Sequence, residues 1–314
     1  MTLDTKLKLP HSTDQMFLTD AGLETWLLFV KQFDMPHFAS FPLLRNERAR
    51  TAMRSYFADF LEMARQNRSG FVLDTVTWRA SPDWARLLGY DLDDLGEVNR
   101  EAVRFAETLR TDFGAGVNVL IDGVIGPRGD GYDAGTVMSV PEAEEFHSFQ
   151  VDVFAHSKVD MVSAVTMTNA NEAIGISRAA CNADIPCVIS FTLETDGTLP
   201  SGQLLADAIA ESDSHRAAKP AYYMINCAHP DHFRETLEAG GDWVNRIRGL
   251  RTNASRMSHA ELDVCEVLDE GDPQELGQQY ADLRRLLPNL NVYGGCCGTD
   301  HRHLSQICQA VRAA

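Results

Sequence analysis

The 314-residue chain contains no apolar run approaching the ~18 residues that cross a bilayer. Its first residues, MTLDTKLKLPHSTDQMF, lack the long apolar core of a secretory signal. Basic charge is scarce: 28 Lys and Arg stand against 45 Asp and Glu, a formal net charge of −17. Such a surface repels phosphate backbones and anionic lipid, so nucleic acid and membrane are not expected as partners. There is no Pro- or Ser-rich linker, no low-complexity stretch and no short repeat, and neither a GxGxxG nor a P-loop provides for a nucleotide. The seven cysteines, without a signal, do not read as a disulfide framework. They suit the reducing cytoplasm, where clustered thiols serve metals or catalysis.

What recurs is a unit: a short β-branched apolar run, a turn rich in Gly, Asn, Asp or Thr, then an amphipathic segment. The runs are MFLTD (16–20), FVLDTVT (71–77), VNVLIDGV (117–124) and DMVSAVTM (160–167). CVISFTL (187–193), YYMINC (222–227), RIRGLRT (246–252) and NVYGG (291–295) complete the set. Helical patterns follow them at 47–66, 82–110, 141–157, 171–183, 202–216, 231–239, 273–287 and 301–312. Pro141, Pro230 and Pro273 sit at helix starts, where a missing N–H costs nothing. Eight strands alternating with eight helices predict parallel βαβ units closing into a (β/α)₈ TIM barrel, one domain over 1–314 with 1–15 as a flexible lead. A doubly wound open sheet is the competing architecture, and it lacks its fingerprint here.

Active sites of such barrels lie at the C-terminal ends of the strands. Cys227 closes strand six in YYMINCAHP, and Cys296 and Cys297 close strand eight in NVYGGCCGTDH. Adjacent side chains on a strand point to opposite faces, so both sulfurs of the pair reach one point only if the backbone leaves the strand there. Gly294, Gly295 and Gly298 flank the pair and permit unusual dihedrals. Three thiolates with an open fourth position describe a catalytic zinc site, and a soft fourth ligand suggests a thiol substrate. Bound to zinc, that thiol would lose its proton and become nucleophilic at neutral pH. Cys181, Cys187, Cys265 and Cys308 are expected to be small buried apolar residues. A vicinal disulfide between Cys296 and Cys297 would be strained.

A late GGCCGTDH paired with an earlier NC resembles the homocysteine S-methyltransferase family, and the likeness spans nearly the whole chain. LTDAGLET resembles the family's DGG-containing first strand, and WRASP and GVIGPRGDGY resemble its loops after strands two and three. The resemblance implies Zn²⁺ held by Cys227, Cys296 and Cys297, with no catalytic side chain beyond that site. It implies a homocysteine pocket lined by Asp20 and the backbone of Ala21 and Gly22, with Asn226 supporting the strand-six loop. It also implies methyl transfer from a small sulfonium or ammonium donor to homocysteine, giving methionine. Three departures stand out. Val165 occupies the place of an acid that pairs with the acceptor's amino group, DAG replaces DGG, and Val76 replaces an Asn. Glu194, in SFTLETDG, is a nearby carboxylate that would substitute for the missing acid.

The expected partners are therefore a small thiol acceptor and a methyl donor, with self-association left open. Val165 keeps a different small thiol or selenol in view as acceptor. A zinc hydrolase or a non-catalytic zinc or redox-sensing protein are the remaining alternatives. Hydrolases favour His and carboxylate ligands, which leave the metal a stronger Lewis acid than three thiolates do. His229, His232, His301 and His303 are expected to cap or meet solvent and neighbouring carboxylates rather than to bind metal.

Overall fold

The structure, a computed structural model, describes residues 8–313. Eight parallel strands form a closed barrel in sequence order. They are β1 (Phe17–Leu18), β2 (Gly70–Asp74), β3 (Val119–Ile125), β4 (Met161–Met167), β5 (Cys187–Phe191), β6 (Tyr223–Asn226), β7 (Ile247–Thr252) and β8 (Val292–Gly295). The helices are α1 (Leu23–Thr25), α2 (Glu47–Gln66), α3 (Pro82–Leu87), α4 (Leu92–Phe113), α5 (Val140–Ala155) and α6 (Ala170–Asn182). They continue as α7 (Leu205–Ser214), α8 (Pro230–Glu238), α9 (His259–Asp263), α10 (Pro273–Arg284) and α11 (His301–Ala313).

Strand alternation divides the apolar residues into two cores. Phe17, Val72, Leu120, Met161, Val188, Met224 and Val292 pack inside the barrel. Leu18, Leu73, Ile121, Val162, Ile189, Ile225 and Leu250 face outward to the helices. Because the period is two, a one-residue slip of any strand would exchange the sets. Above the inner apolar tier the same alternation turns Asp74, Asp122, Asn226 and Arg251 inward, near the C-terminal rim.

The expected helix over 82–110 is two helices. Gly89, at φ +81°, ends the first, and the Asp91 carboxylate caps α4 by accepting from Asp94 N–H at 2.8 Å. The caps Asn46 and Asn169 start α2 and α6 in the same way. Pro230 and Pro273 open α8 and α10, and Pro141 lies in the first turn of α5. β1 is only two residues long, so MFLTD leaves the strand before Thr19.

Of the lead expected over 1–15, residues 1–7 lie outside the described residues. The rest is tied to the barrel floor: Asn291 Nδ2 donates to the carbonyls of Pro10, Thr13 and Gln15 at 2.9, 3.0 and 3.1 Å. No helix among the described residues is long and apolar enough to cross a membrane.

Candidate metal centre and substrate chambers

Cys227, Cys296 and Cys297 converge at the C-terminal rim, their sulfurs all within 4.8 Å of one another. Among the described residues this is the one group of three or more His, Cys, Asp or Glu placed to hold an ion. The sulfurs of Cys227 and Cys296 are in direct contact as a disulfide, with Cα atoms 5.4 Å apart, so the vicinal pair is not the bonded one. Cys297 is a free thiol that burial pushes up to about 11. Thiolates about 2.3 Å from a tetrahedral metal lie within ~4 Å of each other, so once a thiol reductant has opened the Cys227–Cys296 bond the spacing of the trio fits one ion. The soft, all-sulfur donor set suits zinc.

The backbone carrying these sulfurs is held on every side. Cys227 has φ +53°, the left-handed region that a residue with a Cβ seldom adopts. Its carbonyl accepts from His259 Nε2 at 2.7 Å, Asn253 Nδ2 at 3.1 Å and Thr192 Oγ1 at 3.4 Å. Cys296 N–H donates to Thr252 O at 2.8 Å, and its carbonyl accepts from Thr299 Oγ1 at 2.6 Å. The flanking glycines act differently from expectation. Only Gly298 takes a positive φ, +78°. Gly294 and Gly295 stay in β8, where a Cβ would collide with Thr19 and Thr299.

Asn226 binds two strand ends together. Its Oδ1 accepts from Thr166 N–H at 3.0 Å and Ser190 Oγ at 2.6 Å, while Nδ2 donates to Thr166 Oγ1 at 2.9 Å. This leaves the amide occupied, in keeping with a supporting role. Val165 faces the cavity by ordinary alternation with Met161, and the β4–β5 register shift at Thr166, with φ +63°, turns Met167 to the outer core.

An inner chamber of ≈ 90 Å³ abuts the trio, with Asp20, Ala21, Gly22 and Asn226 in its wall. Ala21 N–H donates to Tyr56 Oη at 3.1 Å and Gly22 N–H to Thr299 O at 3.2 Å, so both amides are already engaged. Asp20 is also taken: Arg251 Nη2 donates to its Oδ1 at 2.7 Å, and Arg251 Nη1 donates to Asp74. Burial first, offset in part by Arg251, holds the Asp20 carboxyl well above the ordinary carboxylate range. Glu194, expected beside the acceptor, is not among the residues lining this chamber. Its Oε1 lies 3.0 Å from Nδ1 of His259, the residue that donates to the Cys227 carbonyl. Its partner, His259, opens α9.

Sequence reasoning missed Glu24, Asp74, Arg251, Tyr132 and His259. Tyr132 stacks on His259 at 4.0 Å, with Oη 3.6 Å from Cys297 Sγ. The GVIGPRGDGY loop was noted for its resemblance, which was a usable signal for Tyr132. Glu24 likewise lies in LTDAGLET, whereas Asp74, Arg251 and His259 lie in no recognised motif.

Thr25, Phe38, Trp78, Tyr132 and Cys297 are shared with an outer chamber of ≈ 450 Å³. Its wall mixes Phe29 and Trp84 with Asp130, Asp263 and Asp269. Arg79 is its only Arg or Lys among the described residues, clamped between the rings of Trp78 and Trp84 at 4.0 and 3.9 Å. Burial pushes that guanidinium down to about 10.

The remaining cysteines diverge from expectation in part: Cys187 and Cys308 are buried, Cys181 is exposed and Cys265 is half-buried. His229 caps α8, accepting from Asp231 N–H at 3.2 Å, and His303 meets Asp300 at 3.0 Å.

A sequence profile of the homocysteine S-methyltransferase family matches residues 17–311. Among solved structures, the chain is similar to the homocysteine methyltransferase MmuM from Escherichia coli. For its metallated form the TM-score is 0.70, at 16% identity over 96% of this chain and 97% of that one. For its oxidized form the TM-score is 0.71, at 18% identity over 98% and 99%. At these identities the likeness shows a common fold.

Proposed function

The chain belongs to the homocysteine S-methyltransferase family, and from that premise we propose that it moves a methyl group from a small sulfonium or ammonium donor to the thiol of homocysteine, with Zn²⁺ held by Cys227, Cys296 and Cys297. The convergence of three sulfurs within 4.8 Å at the barrel rim carries the proposal. Zinc bound there supplies Lewis acidity that lowers the pKa of an incoming thiol, making it nucleophilic at neutral pH.

The protein's own residues supply position and environment. His259, Asn253 and Thr192 fix the Cys227 carbonyl, and Thr299 fixes that of Cys296. Second partners of this kind orient ligand-bearing groups before substrate arrives. The acceptor occupies the inner chamber, with Asp20, Ala21 and Gly22 as walls. The donor enters through the outer chamber, whose aromatic and acidic lining favours a positively charged onium group. Its methyl meets the acceptor sulfur at the Phe38, Trp78 and Tyr132 constriction, where apolar walls exclude water and bring the reactants together.

The test is methionine formation by zinc-loaded protein, given homocysteine and a panel of sulfonium and quaternary ammonium donors. At least one donor is expected to support turnover, dependent on Cys297. Methylation of another small thiol or selenol in place of homocysteine would move the acceptor assignment and keep the chemistry. No methylation of any thiol by any onium donor would contradict the proposal.

A further inference from the structure

Three carboxylates line the inner chamber, Asp20, Glu24 and Asp74, and they share it with one guanidinium, Arg251. Arg251 spends its two terminal nitrogens on Asp20 and Asp74. Glu24 is left out. Its Oε1 accepts from Ser40 Oγ at 2.9 Å, and among the described residues it forms no ion pair. Much of the surrounding wall is apolar: Phe38, Phe57, Val76, Trp78, Val124 and Val165. A carboxylate facing such a wall is costly until a cation joins it. Burial pushes the Glu24 carboxyl above its ordinary value, as expected for an acid lacking a partner.

The position of Glu24 relative to the sulfurs is fixed by its own turn. Thr25 Oγ1 donates to Gly22 O at 2.9 Å and accepts from Gly298 N–H at 3.3 Å, which staples α1 to the loop after Cys297. At Gly22, a Cβ would come within 2.6 Å of the Cys296 carbonyl oxygen. An acceptor with its sulfur at the trio therefore has its following atoms beside Glu24. On the β4 side, Val165 presents only methyl groups, and Asn226 and Thr166 are bonded to each other.

We infer that Glu24 receives the ammonium group of the acceptor and is the specificity-determining residue that makes the chamber select thiols bearing a cationic amine. The inference rests on the thiol methyl-transfer reading. Asp20, already bound to Arg251, keeps a structural part.

The test is calorimetric binding of two thiols, homocysteine and 4-mercaptobutyrate, which lacks the amine, to zinc-loaded wild type, Glu24→Asp and Glu24→Gln. Wild type is expected to bind homocysteine at least tenfold more tightly. Glu24→Gln should lose that preference by weakening homocysteine alone, Glu24→Asp should retain part of it, and zinc content and Tm should not change. Equal binding of both thiols by wild type would overturn the inference and leave methyl transfer intact. So would a Glu24→Gln variant that weakens both thiols alike. If neither thiol binds zinc-loaded wild type, the methyl-transfer reading falls, and this inference with it.

Discussion

Cys227 occupies a backbone conformation that costs a residue with a side chain on the order of 1–3 kcal/mol. It persists because three donors converge on its carbonyl, the strongest by distance being His259 Nε2 at 2.7 Å. His259 is in turn placed by Glu194 on one side and by the face of Tyr132 on the other. The role expected for Glu194, pairing with substrate, thus becomes positioning a ligand-bearing loop. Partners of this kind typically account for 10- to 100-fold in metal affinity. His259→Ala should therefore weaken zinc binding by about tenfold or more, measured by competition with a chromophoric chelator. Cys181→Ala, at an exposed site remote from the rim, should bind zinc as wild type does. Unchanged affinity in His259→Ala would show that the loop holds its shape without the imidazole.

At the scale of elements, the barrel brings groups from distant strands into one polar tier. Arg251 at the end of β7 reaches Asp20 after β1, 231 residues away in sequence, and Asp74 at the end of β2. Directly opposite Asp74 in the β2–β3 register is Asp122, fully buried with one oxygen unpartnered. Burial, then the charge of Asp74, push the Asp122 carboxyl well above its ordinary 3.8. The native state therefore holds that proton at pH values where the unfolded chain has lost it. The stabilisation is fully present below 3.8 and is lost as pH rises through the raised native value. Asp122→Asn, which mimics the protonated acid, should have its Tm closest to wild type below the ordinary value of 3.8 and gain on it as pH rises above that value. A difference that narrows or reverses with rising pH would contradict this assignment. Such couplings explain what sequence could convey. The strand–turn–helix period exposed the barrel, and cysteines beside strand-end glycines and an asparagine exposed the candidate metal centre. Even the break at Gly89 was readable, as a glycine followed by the capping Asp91. The ion cluster was not, because Arg251 and Asp74 sit in ordinary strand ends and meet only through barrel closure. Glu24 escaped for a related reason: its importance comes from lacking a partner, which becomes visible only after every neighbouring charge has been paired.

Over the whole molecule, the reactive face is divided into a small chamber against the sulfurs and a larger one open to the donor, with acidic groups in both. A chain of net charge −17 attracts small cations to this face, consistent with an onium donor and an amine-bearing acceptor. The barrel supplies a rigid frame on which strand ends hold the three cysteines together before substrate arrives. The central claim is that Cys227, Cys296 and Cys297 form an open metal site whose remaining position is taken by the acceptor's sulfur. X-ray absorption on the zinc-loaded protein, recorded with and without homocysteine, tests it most directly. The account predicts three sulfurs around zinc in the protein alone and four, at about 2.3 Å, when homocysteine is saturating. A count that stays at three under saturating homocysteine would contradict it.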